Sequence, residues 1–149
     1  MIFLDFIVCD DIRREVGNKH TIVGVYNDRI VFSSSKDFKW GITKSLGFFL
    51  RFQKESTDPD YDGFDLKIFL NDEQNQLANI KGGINLTDPT RPMVIDIVFP
   101  GFKFTGPGSL IVKIVFLKGS EVVIADLPKK SIDILHQNDI EVPTDQTRH

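Results

Sequence analysis

Apolar residues recur at every second position through most of this chain. From 108 to 127 the alternation is longest. Leu110, Val112, Ile114 and Phe116 share one face, and Ile111, Lys113, Val115 and Leu117 the other. Lys118-Gly119-Ser120 interrupts the run and 122–127 returns. Period-two spacing on both sides of a glycine-containing turn predicts a β-hairpin. Both its faces are largely apolar, so it is expected in the middle of a sheet with a second layer above it.

The same spacing predicts the other strands. Ile2, Leu4, Phe6 and Val8 mark a strand over 2–9, with Phe3, Asp5, Ile7 and Cys9 on its second face. The charged run 10–15 is too short for an independent helix and is expected as a helical turn or loop. Residues 20–26 and 29–32 follow as strands, and Phe38-Lys39-Trp40 opens an edge strand. Leu46, Phe48, Leu50 and Phe52 alternate within 43–53. Residues 64–70 and 76–82 form the next pair, with a short extension at 84–86. Met93, Ile95, Ile97 and Phe99 give another alternating face. Two prolines, Pro100 and Pro107, make 100–108 an irregular link, with Phe102 and Phe104 folding over an open end. Ile132 and Ile134 allow one more short strand. About nine evenly spaced strands, without a repeat or linker, predict an all-β sandwich over 1–135 and a polar, disordered tail over 136–149.

Composition narrows the possible functions. The 149 residues fit one domain, able to bury roughly 70% of its unfolded surface. There are 13 Phe against 2 Tyr and 1 Trp, so most rings are expected in the core. A net charge of −3 argues against binding driven by nucleic acid or anionic lipid. No apolar run approaches the roughly 20 residues that span a bilayer. Cys9 is the single cysteine, which excludes an internal disulfide and a cysteine-rich zinc site. The start of the chain has no basic leader, and a reducing cytoplasm is the expected compartment.

Three stretches together resemble a known group. They are Ile7-Val8-Cys9-Asp10-Asp11-Ile12-Arg13-Arg14-Glu15, Ile22-Val23-Gly24-Val25-Tyr26, and Phe99-Pro100-Gly101 through Gly106-Pro107-Gly108 into the last hairpin. The set is similar to a family of small bacterial proteins with a domain of unknown function. The resemblance implies a bacterial, intracellular, immunoglobulin-like antiparallel β-sandwich, and brings no catalytic residues. The chain departs from the family at Leu110, where the family carries Tyr, so a tyrosine-corner bond is not available there. Its loop over 54–63 is also longer.

Several residues are candidates for chemistry. Cys9 with His20 as base would make a nucleophilic pair, but free cysteine is among the most buried residue types, and no carboxylate stands behind His20 in the sequence. The other histidines, His136 and His149, fall in the expected tail. No histidine spacing suggests zinc, and no nucleophile elbow or phosphate loop is present. Arg13 and Arg14 lie in the densest mixed-charge cluster. They read as a solvated turn or as a contact surface for a partner's carboxylate or phosphate. Trp40 and Tyr61 read as core-capping rings, or as anchors for a sugar or protein partner.

The loop over 54–63 contains Asp58-Pro59-Asp60-Tyr61-Asp62-Gly63, the opening pattern of an EF-hand calcium loop. Its twelfth position is Phe69 rather than Glu, so an EF-hand is excluded. What remains is weak Ca2+ binding at Asp58, Asp60 and Asp62, or simply an acidic hairpin loop. The overall expectation is a non-enzymatic binding or assembly module. Its protein partner or second copy would dock on sheet edges, at 28–32 or 38–42, or on end loops. The alternatives are a metal- or sugar-dependent recognition domain and a cysteine-dependent enzyme.

Overall fold

The computed structural model describes residues 1–33, 37–85 and 88–139. The expected loop over 33–36, the extension at 84–86, and the tail with His149 lie wholly or partly outside them.

The described residues form an all-β sandwich of ten strands. They are β1 (Ile2–Glu15), β2 (Lys19–Tyr26), β3 (Arg29–Phe32), β4 (Ile42–Gln53), β5 (Gly63–Leu70), β6 (Gln76–Gly83), β7 (Met93–Phe104), β8 (Gly108–Lys118), β9 (Glu121–Ile124) and β10 (Lys130–His136). One sheet has the order β2-β1-β4-β7. The other has the order β3-β10-β8-β5-β6, with β9 on β8. Asn27 and Asp28 carry the chain from the first sheet to the second, where β3 runs parallel to β10. All other pairings are antiparallel.

The inward faces interdigitate. Leu46, Phe48, Leu50 and Phe52 of β4 join Leu66 and Ile68 of β5 and Leu110, Val112, Ile114 and Phe116 of β8 in one buried cluster. The Phe52 and Phe116 rings meet edge-on, with centroids 4.8 Å apart. At the other end the Phe104 ring meets Phe32 and Phe102 edge-on, each at 5.0 Å between centroids.

Four local expectations are corrected. Residues 10–15 are strand, because Asp11 to Glu15 find cross-strand partners from Val23 to Lys19. Backbone pairing outweighs the low strand preference of charged side chains. Residues 100–104 are also strand. Pro100 and Gly101 together face Ser45, a bulge that accommodates the missing donor. Phe102 and Phe104 therefore pack from within β7 rather than folding back. Residues 38–41 form no strand, since β4 begins at Ile42. His136 is the last residue of β10, with its ring 4.3 Å from Phe38. The hairpin over 108–127 is half as expected: β8 is central, but its return arm β9 has only four residues.

Candidate functional site beneath the first hairpin

β1 pairs with β4 only as far as Cys9 opposite Gly47. A straight continuation would bring Arg14 beside Ile42, which faces Phe104 on β7. Arg14 instead reaches Asp96, eight residues along β7 from Phe104 or roughly 26 Å away. The end of the β1–β2 hairpin has therefore left the plane of the sheet and folded back over its outer face.

Two glycines make that fold possible. Gly24 has φ +66°, and a Cβ there would lie 2.1 Å from Asp10 Oδ2. A Cβ on Gly47 would lie 2.9 Å from Cys9 Sγ and 3.3 Å from Ile12 Cγ1. The first glycine lets the hairpin bend and the second lets it lie flat. At the bend, Ser45 Oγ donates to the Asp10 carbonyl at 2.7 Å. The Asp10 carboxylate accepts from the Tyr26 hydroxyl, and Lys44 Nζ lies 2.8 Å from it. Partial burial works against its charge, but Lys44 and Tyr26 outweigh this and hold the Asp10 carboxyl below its ordinary range.

Beneath the hairpin lies a second apolar cluster. Cys9 and Phe49 are buried, yet neither belongs to the inter-sheet core. Phe49 faces outward beside Asp96 and carries the His20 ring edge-on at 5.2 Å. Burial pushes the Cys9 thiol up to about 11, with the Asp10 charge adding to the effect.

Asp96 fastens the hairpin down. Arg14 Nε donates to Oδ2 at 2.6 Å, its terminal nitrogen bonds Oδ1, and His20 Nε2 lies 3.1 Å from Oδ2. The Asp96 side chain is only 10% exposed. The Arg14 guanidinium holds the Asp96 carboxyl below the usual range, with His20 contributing. Beside this junction an open groove of about 300 Å³ is lined by Arg14, Glu15, Lys19, His20, Val94 and Asp96.

The other expected site residues are dispersed. Asp58 accepts from the Met1 ammonium at 2.8 Å and from the Glu55 amide at 2.8 Å. Asp60 takes Lys54 Nζ at 2.7 Å, and Asp62 takes the Gly119 amide at 2.9 Å. The three carboxylates thus serve three separate partners. Among the described residues no group of three or more His, Cys, Asp or Glu side chains converges as a metal site. Tyr61 is 4% exposed. It packs on Phe116 at 4.9 Å with its hydroxyl toward Met93 Sδ, and burial pushes its pKa up to about 12. Trp40 is half-buried against Phe38 at 5.1 Å and Phe32 at 5.7 Å. Arg13 is exposed, 3.6 Å from Asp11.

Cys9 and His20 lie on the same folded hairpin, but the imidazole is engaged by Asp96 and the thiol is fully buried. Asp96 is the residue that pattern reading missed. The sign was there: it is the one acid in the apolar run Met93-Val94-Ile95-Asp96-Ile97-Val98-Phe99. No family model matches the chain, and a search of curated proteins finds no match.

Proposed function

We propose that this β-sandwich is a non-enzymatic binding or assembly module of the immunoglobulin-like kind. A second copy of the chain, or a protein partner, would add to the outer edge of β2, which among the described residues pairs with β1 alone. The observation that carries this reading is the contrast between β2 and the other edges. β3 and β9 have four residues each. β7 carries Pro100 and a bulge, and β6 ends in Lys81-Gly82-Gly83. Such features blunt an edge against unwanted pairing.

β2 has eight residues without proline, and its register with β1 keeps one alignment from Lys19 to Tyr26, interrupted at Gly24 opposite Asp10. Val23 and Val25 are 39% and 52% exposed. An exposed, β-branched edge is a template for strand addition. The buried thiol with its raised pKa supports a non-enzymatic role, because the thiolate is the reactive species. The net charge of −3 supports a protein rather than a nucleic acid as partner. The unpaired cysteine fits a reducing, cytoplasmic setting.

Sedimentation velocity up to high micromolar concentration tests self-association. The expected result is a concentration-dependent dimer that Val25→Lys abolishes, with Val25→Lys changing stability by less than about 0.5 kcal/mol. A clean monomer throughout removes the second copy as occupant. A pull-down that captures the same proteins with the wild type and with Val25→Lys removes β2 as the docking edge.

A further inference from the structure

We propose that the folded end of the β1–β2 hairpin is a hinged lid. Its hinge is Asp10 with Gly24, its latch is Asp96, and opening uncovers the Cys9 and Phe49 patch on the outer face of the four-stranded sheet.

Three observations carry this. First, the lid is a unit. Residues 11–15 pair continuously with 19–23, and Thr21 Oγ1 donates to Glu15 Oε1 at 3.1 Å within it. Second, the lid is separable. β1 remains paired to β4 up to Cys9, and Val8 keeps its place in the inter-sheet core, so the hairpin end can lift without opening the sandwich. Third, the free end of the lid is held by polar contacts. Arg14 and His20 converge on one carboxylate of β7, while the half-buried Ile12 and Ile22 pair on the same face and Ile12 lies over Gly47. Charge-assisted bonds of this kind are the strong ones, so their loss at the latch favours opening.

The bend has its own support. Ser45 bonds the Asp10 carbonyl where β1 leaves β4, and Lys44 and Tyr26 grip the carboxylate. Those contacts lie on the hinge side and persist when the latch breaks. The position of β2, which carries the proposed docking edge, follows the lid. The lid does not depend on that edge having a partner.

Cys9 reports on the lid, since it is the single cysteine, is buried, and shares with the lid's Ile12 the space over Gly47. Labelling with a maleimide under native conditions, followed by mass spectrometry, measures opening. Asp96→Asn keeps the shape and removes the charge. Arg14→Gln changes a side chain that is 75% exposed, so it leaves the core intact even if Asp96→Asn does not fold. The expected result is labelling roughly 5- to 30-fold faster in either variant. The urea midpoint moves little, and the amides of residues 11–23 gain exchange together while those of β5 and β8 do not. Two results overturn the lid. One is labelling of the wild type that occurs only through global unfolding, with the full urea dependence. The other is labelling and global unfolding accelerated equally in both variants. A monomer by sedimentation leaves this test unaffected, so the lid and the docking edge stand or fall separately.

Discussion

Two apolar groups among the described residues are held by different means. Between the sheets, rows of Phe, Leu and Ile from β4, β5, β7, β8 and β10 interdigitate. Each fully buried side chain there contributes about 1.5–3 kcal/mol by leaving water. Under the hairpin, Phe49 carries the His20 ring and Cys9 lies close to Ile12 at Gly47. The large cluster needs no charges to close it. The small one is bounded by Arg14, His20 and Asp96 at one end and by Asp10, Tyr26 and Lys44 at the other. The contrast teaches that where apolar area is scarce, directional contacts decide whether a flap lies down.

The largest expected effect breaks the first cluster. Phe52→Ala removes a ring that is 0% exposed and packed on Phe116. Loss of contacts plus the cavity left behind costs about 3–5 kcal/mol, read as a fall in the urea midpoint. The rate of Cys9 labelling under native conditions then rises only through global unfolding.

A smaller effect, confined to the second cluster, is expected from Gly47→Ala. The new methyl meets Cys9 Sγ and Ile12 Cγ1 inside normal contact distance. Overpacking costs about 1–3 kcal/mol, expressed mainly as faster exchange over residues 11–23. Equal loss of protection in β5 and β8 would show that the two clusters are one.

The smallest effect is a pH dependence. Asp96 titrates below its ordinary range in the folded protein, first because of Arg14. Its contribution is therefore fully present above the unfolded value of about 3.9 and is lost as pH falls through the lower folded value. Comparing wild type with Asp96→Asn in urea melts from pH 7 to pH 2 isolates that share. It is expected at about 1 kcal/mol, since Arg14 is largely solvated. A wild-type profile parallel to that of Asp96→Asn would deny the latch its charge.

Much of the sandwich was legible in the alternation itself. Thr43 to Gln53 reads as a strand because successive side chains point to opposite faces, a property of the local backbone. β3 was readable to its ends, Arg29 and Phe32. The same logic fails where a partner decides. Asp11 to Glu15 look like a charged turn until Lys19 to Val23 are laid beside them. Pro100 reads as a break until Ser45 is seen to face two residues at once. Nor does the spacing from Asp58 to Gly63 show that Met1, Lys54 and Gly119 each meet one of its carboxylates.

By itself, then, the sequence determined that this chain makes strands, roughly where they run, and which residues face inward, because side-chain direction follows residue by residue along a strand. Only the tertiary structure decided that Cys9 is buried outside the main core, that the first hairpin bends back at Gly24, and that Asp96 receives Arg14 and His20. Those depend on which strands become neighbours across 76 and 82 residues of chain, and no local spacing encodes a contact at that separation.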